Sequence, residues 1–267
     1  MDKVELSAKE VKKIALNILV KFAEYCEKNN LTYILAGGTL LGAIRHKGFI
    51  PWDDDIDVMM PRDDFEKFNR LVKNAKLGDN IGVLQQDSSN YYYPFTKLYD
   101  DRTIAKMDDN NSVHGVWIDI FPADNIPADV SQTKKLFRKS RFWRAAIISM
   151  NTDLKNSRGY IKNIAKVALK VLSNIVGKKR VLKLATANAM TNSNENSEFI
   201  GGVLWGYGIK EKLKKEEFIN TTSVIFEGHE FKAPVGWDKY LTGLYGNYME
   251  LPPVDKRQTH HITAYYK

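Results

Sequence analysis

The sequence has few of the features on which secreted or membrane-spanning proteins depend. Cys26 is the only cysteine among 267 residues, so no disulfide can form within the chain, as is usual in a reducing cytosol. No stretch of about 18 consecutive apolar residues occurs, which predicts that no helix spans a membrane. Residues 1–13 lack the apolar stretch of a secretory signal. We therefore expect a cytoplasmic protein.

Acidic residues are almost missing from one part of the chain. Residues 134–183 contain 15 lysines and arginines but one acid, Asp153, which gives a local balance of +14. Since the whole chain carries +8, the remaining residues carry −6. This local excess favours an anionic partner, namely a membrane surface, a polyanionic acceptor or a phosphorylated lipid carrier. The acidic remainder argues against binding to a nucleic-acid duplex.

The lysines of this segment follow a helical spacing that leaves two interpretations open. Lys162, Lys166 and Lys170 recur at every fourth residue, opposite an apolar stripe. They could form a solvated helix face above the protein's own core. Alternatively, they could place the helix on anionic lipid at the inner face of the cytoplasmic membrane. The stripe consists of Ile161, Ile164, Ala165, Ala168, Leu172 and Ile175.

Hydrophobic spacing predicts an α+β fold in three parts. Residues 1–128 are predicted to form a catalytic core, a mixed β-sheet flanked by helices, whose first helix is capped by Ser7 and Glu10. Residues 129–198 are predicted to form an added, mainly helical basic segment, and residues 199–267 a C-terminal part that packs on the core. A strand over 116–121 is expected to stop at Pro122, and Phe142 and Trp143 are expected to face inward with Ala146 and Ile147.

Three aspartates alternate along one predicted strand. Asp53, Asp55 and Asp57 point to the same face if residues 53–60 are extended, because alternate residues of a strand share a face. Carboxylates placed so close together repel unless a cation lies among them, and oxygen ligands alone favour Mg²⁺ or Mn²⁺ over zinc. Asp119, an acid within the apolar strand 116–121, is the candidate for a further metal carboxylate.

Two glycines and a threonine precede this acidic strand. Gly37, Gly38 and Thr39 follow a short strand over 31–36 and lead into a predicted helix. Glycines allow a close backbone approach, and a helix N-terminus offers unpaired N–H groups to a phosphate. The order of strand, Gly-Gly-Thr, helix, acidic strand and later acidic strand is much more specific than any of its parts. It indicates phosphoryl-group transfer.

At these residues the sequence resembles the LicD family. The matching stretches are LAGGTLLGAIRHKGFIPWDDDIDVMMPRDDFEKF, YPFTKLYDDRT, GVWIDIFPAD and YGNYMELPPVDKRQTHH. The resemblance implies a nucleotidyltransferase-like fold and a metal-dependent phosphocholine transferase. Bacterial members transfer phosphocholine from CDP-choline to sugars of teichoic acid, lipopolysaccharide or related glycans. Eukaryotic relatives of the fukutin-related type transfer ribitol phosphate from CDP-ribitol.

The resemblance also implies roles for individual residues. Asp55 and Asp57 match the family's metal-binding pair, Asp53 precedes them in the same alternation, and Asp119 matches a further acid that binds metal or acts as the base. Candidate contacts to nucleotide or phosphate are Gly37, Gly38, Thr39, Arg45, Lys47 and Lys97, and candidate substrate contacts are His260, His261 and Trp205. A choline ammonium would favour an aromatic cage, with Trp52, Trp117, Tyr92, Trp205 and Tyr207 as candidate walls.

Four functions remain open at this point. The first is transfer of phosphocholine from CDP-choline to a glycan, expected to be a lipid-linked precursor, with release of CMP. The second is the same chemistry with glycerol phosphate or ribitol phosphate. The third is attachment of a nucleoside monophosphate with release of pyrophosphate. The fourth is a non-catalytic module that binds a membrane or an anionic glycan, and the clustered acids argue against it because they would repel anions.

Overall fold

The computed structural model of the protein describes residues 4–73, 77–106, 114–151, 160–192, 197–257 and 262–267, and describes residues 160–165 by their backbone. The helices are α1 (Ala8–Lys28), α2 (Gly37–His46), α3 (Arg62–Val72), α4 (Val130–Asn151), α5 (Tyr160–Val176), α6 (Lys178–Ala189), α7 (Lys215–Ile219) and α8 (Trp237–Tyr245). The strands are β1 (Ile34–Leu35), β2 (Asp57–Pro61), β3 (Ile81–Leu84), β4 (Thr96–Asp100), β5 (Thr103–Lys106), β6 (Trp117–Ile126), β7 (Phe199–Gly201), β8 (Leu213–Lys214), β9 (Thr221–Phe226), β10 (His229–Pro234) and β11 (Thr263–Tyr266).

A mixed sheet forms the centre of the fold. Its strands lie in the order β1-β2-β6-β4-β3, and β7 and β8 extend it from the far end of β6. Strands β2 and β6 are parallel, whereas β6 is antiparallel to β4 and to β7. The prediction of an α+β fold, a mixed sheet flanked by helices, is confirmed.

Helix α1 shows how local sequence determines an element. The Ser7 hydroxyl oxygen accepts the Glu10 amide N–H, and the Glu10 carboxylate accepts the Ser7 amide, which completes the predicted capping box. The apolar residues of the helix then face the sheet, and Cys26 lies fully buried at the end of the same stripe. The buried stripe consists of Val11, Ile14, Ala15, Ile18, Leu19, Phe22 and Cys26.

The expectation that a strand stops at Pro122 is wrong, because β6 continues to Ile126. On one side of β6, residues 117–120 pair with β4 and residues 124–126 pair with β7. Pro122 lies between these two stretches, where neither β4 nor β7 requires its missing N–H. A proline is therefore tolerated inside a strand that is otherwise central.

The apolar side chains form two clusters. The larger one packs α1, α2, α3 and α8 around the sheet, and it includes Val58 and Ile120. The smaller one packs α4 and α6 together with Val203 and Leu204. Ile126, at the end of β6, belongs to the smaller cluster.

The predicted apolar stripe of α4 faces inward only in part, and the described residues of the α5 stripe do not face the core, although the first of its two interpretations requires this. On α4, Ala146 and Ile147 are buried and Trp143 is partly buried, but Phe142 is 55% exposed. On α5, Ala168, Leu172 and Ile175 are exposed, while the side chains of residues 161, 164 and 165 lie outside the described set. Leu169 packs on the smaller cluster and Ser173 is buried, so α5 packs inward through a face other than its apolar stripe.

None of the helices within the described residues has the length and apolarity that crossing a membrane requires.

Candidate active site

The alternation of β2 and β6 places two acids side by side. The strands are parallel, and Asp57 lies directly opposite Asp119 in the register. The next residues along, Val58 and Ile120, are fully buried in the larger core. Because successive side chains of a strand point to opposite faces, burial of Val58 and Ile120 turns both acids away from that core.

The acids that precede β2 alternate as predicted, although the strand itself begins only at Asp57. Asp53, Asp55 and Asp57 line one cleft of about 1000 Å³. Asp54 points elsewhere: it is buried, and its Oδ2 accepts the amide N–H of Ile262 at 3.3 Å. The structure thus brings the three predicted aspartates together at the cleft.

Crowding of these carboxylates disfavours their ionisation. Burial, followed by the charges of Asp57 and Asp53, raises the pKa of Asp55 well above its usual value. Burial, followed by the charges of Asp119 and Asp53, raises the pKa of Asp57 in the same way. A bound cation would relieve this repulsion, so the charge of the site fits a divalent metal with oxygen ligands.

Asp119 already has a cationic partner. Lys97, which is 5% exposed, donates to Asp119 Oδ1 at 2.6 Å from the neighbouring strand β4. Its ammonium also lies 4.4 Å from the ring centroid of Trp117, whose Nε1 donates to Asp119 Oδ2 at 3.3 Å. Lys97 was predicted to contact phosphate. In this structure it neutralises Asp119.

Whether the residues of the cleft can hold a metal ion therefore depends chiefly on the carboxylate oxygens of Asp55 and Asp57. Within the described part of the chain, no three His, Cys, Asp or Glu side chains converge in a group that could enclose a metal ion. Asp119, the acid beside Asp57, is already paired with Lys97. Asp55 and Asp57, with Asp53 hydrogen-bonded to Asp55, are the carboxylates whose repulsion a cation would reduce most.

The predicted Gly-Gly-Thr turn forms the first turn of α2 itself. Gly37 adopts a left-handed conformation with φ +49°, and a Cβ on Gly38 would lie 2.7 Å from Asp53 Oδ2. The hydroxyl oxygen of Thr39 accepts the amide N–H of Asp57 at 2.8 Å. Gly37 and Gly38 line the cleft, whereas Thr39 is buried and holds the backbone of an acid.

The other predicted contacts fall in different places. Arg45 lines the cleft, and its Nη1 donates to the carbonyl oxygens of Tyr248 at 2.6 Å and Glu250 at 3.3 Å. Lys47 is exposed at the left-handed C-cap of α2 and does not line the cleft. Trp205 lines the cleft. His260 and His261 lie outside the described residues.

A buried glutamate in the cleft escaped the sequence analysis. Glu211 is 3% exposed; its Oε1 accepts the Tyr240 hydroxyl and its Oε2 accepts the Tyr207 amide, both at 3.1 Å. Burial raises its pKa to about 7, although these hydrogen bonds and Arg144 oppose the rise. The available signal was the glycine-rich run 201–208, since a Cβ on Gly206 would lie 1.9 Å from Glu211 Oε2.

Aromatic rings form much of the cleft wall. Of the predicted candidates, Trp52, Trp205 and Tyr207 line the cleft, as does Tyr245, whose ring lies 5.9 Å from that of Tyr207 at an angle of 70°. Tyr92 and Trp117 do not line the cleft: the ring of Tyr92 contacts Lys178, and the ring of Trp117 contacts Lys97. Acids, cations and aromatic walls in one cleft, beside strand β2 of a mixed sheet, are typical of a group-transfer enzyme.

The chain belongs to the LicD family. Residues 30–167 match the family model described as "LicD/FKTN/FKRP, nucleotidyltransferase domain". The chain is also 33% identical over 265 residues, 98% of each protein, to the lipopolysaccharide cholinephosphotransferase LicD of Haemophilus influenzae. The resemblance drawn from the sequence is thus confirmed.

Two shorter similarities concern uncharacterized proteins of Rickettsia. One, from Rickettsia typhi, is 41% identical over 68 residues, 25% of this chain and 22% of that protein. The other, from Rickettsia prowazekii, is 43% identical over 88 residues, 29% of this chain and 33% of that protein.

Proposed function

We propose that this enzyme transfers phosphocholine from CDP-choline to a sugar hydroxyl of a cell-surface glycan, teichoic acid or a similar polymer, and releases CMP. The observation that carries the proposal is the match along 98% of the chain to a protein named as a lipopolysaccharide cholinephosphotransferase. The cleft adds chemical support, since it combines crowded carboxylates with aromatic walls. The first feature suits a diphosphate bound with a cation, and the second suits a quaternary ammonium.

Asp55 and Asp57, assisted by Asp53, are the residues that would hold Mg²⁺ or Mn²⁺. When bound, such a cation supplies neutralisation of the donor diphosphate. Gly37 and Gly38 keep this part of the cleft open, because a side chain on Gly38 would meet Asp53. Arg45 fixes the segment around Tyr248 and Glu250, which forms another side of the same cleft.

We assign Asp119 as the base that accepts the proton of the acceptor hydroxyl. It stands directly beside Asp57, and Lys97 holds its carboxylate in place through a hydrogen bond to Oδ1 at 2.6 Å. The acceptor oxygen forms a bond to the phosphorus that bears choline, and the bond from that phosphorus to the CMP oxygen breaks. CMP leaves with the electron pair, and the hydroxyl proton passes to Asp119.

Trp205, Tyr207 and Tyr245 are suited to the choline headgroup. Ring faces attract a cation within about 6 Å of their centroids, and a quaternary ammonium is a ligand of this kind. Glu211 lies below Tyr207, bonded to its amide, and adds negative potential when ionised. Group specificity in this proposal therefore resides in the aromatic wall of the cleft, of which Tyr207 and Tyr245 lie close to Asp57.

Product analysis tests the proposal. The protein is incubated with Mg²⁺, a glycan acceptor and, separately, CDP-choline, CDP-glycerol, CDP-ribitol or CTP, and the released nucleotide or pyrophosphate is measured. We expect CMP from CDP-choline, reduced about a hundred-fold or more in Asp57→Asn, because one carboxylate of the metal site is lost. Asp63→Asn, an exposed aspartate on α3, is the matched control and should retain activity.

Other products would change the proposed reaction or the residues assigned to it. CMP from CDP-glycerol or CDP-ribitol alone would retain the chemistry and change the transferred group. Pyrophosphate from CTP would replace it with nucleotidyl transfer. CMP release that survives Asp57→Asn would remove the metal assignment.

A further inference from the structure

We propose that the exposed apolar face of α5, together with exposed cations of the neighbouring helices α4 and α6, binds the surface of an anionic lipid bilayer. The inference concerns a part of the molecule outside the catalytic cleft and does not depend on which group the enzyme transfers. Its partner is defined by chemistry: a lipid surface that accepts aliphatic side chains and carries negative headgroups.

The apolar face of α5 points away from the protein. Five aliphatic side chains recur at positions that lie on one side of a helix. The inward side is formed by Leu169 and Ser173, which pack toward the smaller core. The outward residues, with their exposures, are Val167 42%, Val171 51%, Leu172 57%, Ile175 76% and Val176 44%.

This arrangement reverses the usual orientation of an amphipathic helix. A helix on a soluble protein normally buries its apolar stripe and exposes its lysines. On α5, Lys166 and Lys170 are only partly exposed, while Leu172 and Ile175 are among the more exposed residues of the chain. Contiguous exposed aliphatic side chains mark a surface that another apolar phase covers.

Charge determines which partner fits. The described residues of 130–151 and 160–192 include no aspartate or glutamate. Exposed cations lie on α4 and α6, the helices that pack against α5. A second copy of the chain would bring like charges together, whereas an anionic bilayer attracts them. The exposed cations are Lys134, Lys135, Arg138, Lys139, Arg141, Lys179, Arg180 and Lys183.

The basic surface is connected to the catalytic cleft. Arg138, Arg141 and Arg144 of α4 line a groove of about 620 Å³. This groove and the cleft share Arg144 together with Gly206 and Tyr207. If the acceptor is carried on a lipid, which rests on the proposed function, binding at the bilayer would bring the acceptor to the cleft along α4.

Vesicle sedimentation tests the proposal without donor or acceptor, so its result is independent of the proposed function. The full chain is mixed with vesicles of equal parts phosphatidylcholine and phosphatidylglycerol, or of phosphatidylcholine alone, and the bound fraction is measured. We expect binding to the anionic vesicles, weakened by salt, and little to the neutral ones. The triple variant Val171→Ser/Leu172→Ser/Ile175→Ser should bind at least about ten-fold more weakly, because apolar burial in the bilayer is lost.

The double variant Ile225→Ser/Val235→Ser is the matched control. These residues are 40% and 49% exposed in a different part of the chain, so their loss should leave vesicle binding unchanged. Circular dichroism spectra and thermal melts of both variants must match those of the unaltered protein, which excludes misfolding.

Three results would overturn the proposal. They are absence of binding to anionic vesicles, equal binding by the triple variant, and a dimer in vesicle-free solution that only the triple variant converts to a monomer. The last result would assign the apolar face to a second copy of the chain.

Discussion

The amide N–H of Asp57 donates to the hydroxyl oxygen of Thr39 at 2.8 Å, which ties the first residue of β2 to the first turn of α2. Thr39 is 5% exposed, so water cannot replace its oxygen easily. Through this bond a residue of the Gly-Gly-Thr sequence acts on the acids by holding one of them in position.

Replacement of Thr39 with valine, which has the same shape but no hydroxyl, should therefore misplace Asp57. The buried amide would lose its acceptor at a cost of about 1–3 kcal/mol in the free energy of unfolding. We expect activity to fall about ten-fold or more, because small misplacements of reacting groups reduce the rate strongly. Thr39→Ser keeps the hydroxyl oxygen and should retain most of the activity and most of the free energy of unfolding. Equal activity of the two variants would contradict this role.

A divalent cation should stabilise the folded protein measurably. Mg²⁺ or Mn²⁺ would relieve the repulsion that raises the pKa of Asp55 and Asp57, so the melting temperature should rise with metal concentration. The rise should disappear in Asp55→Asn/Asp57→Asn and persist in Asp63→Asn. If neither metal changes the melting temperature, or if the double variant shows an equal rise, the carboxylates do not bind such an ion.

Glu211 should make stability depend on pH in the direction opposite to an ordinary carboxylate. Its pKa rises from 4.5 to about 7 on folding, so between these values the folded state binds more protons than the unfolded state. The free energy of unfolding should therefore fall as pH rises from about 4.5 to 7, and Glu211→Gln should lack this component. Urea titrations across the window compare the slopes of the two proteins. Parallel slopes would contradict the assignment.

The buried pair of Arg62 and Asp124 should matter far more for stability than a surface pair. Arg62 Nε and Nη2 donate to the two Asp124 oxygens at 2.7 and 2.8 Å, and both residues are buried. Asp124→Ala removes the carboxylate that pairs with the buried Arg62 guanidinium, which should lower the free energy of unfolding by about 3–5 kcal/mol. Glu24→Ala, which breaks an exposed pair with Lys21, should cost less than about 1 kcal/mol by the same denaturation measurement.

Short-range sequence patterns predict the arrangement of the three clustered aspartates and of two local motifs. The common face of Asp53, Asp55 and Asp57 follows from alternation in extended backbone, and the capping box of α1 follows from residues three apart. The hairpin of β9 and β10 turns at Glu227 and Gly228, and both residues adopt positive φ, 49° and 79°, which the local Gly makes easy at the second position. These features depend on neighbours in sequence, so a single sequence contains the information for them.

Features that depend on distant segments were missed. Glu211 enters the cleft because Tyr240 and Tyr207 supply hydrogen bonds to it, and the glycine-rich run 201–208 does not by itself identify the acid that it accommodates. Lys97 matched the family sequence but its pairing with Asp119 depends on the order of β4 and β6 in the sheet. The periodicity of α5 was visible in the sequence, but which face packs inward depends on how α4 and α6 meet it.

Strand β6 has a mechanical consequence, because its ten residues run without interruption from one hydrophobic cluster into the other. Ile120 is anchored among the sheet helices and Ile126 among α4 and α6, with Asp119 on the same continuous backbone. A single hydrogen-bonded strand therefore sets the spacing between the helical part and Asp119, so a shift of Ile126 within its cluster would have to move or bend the segment that carries this acid.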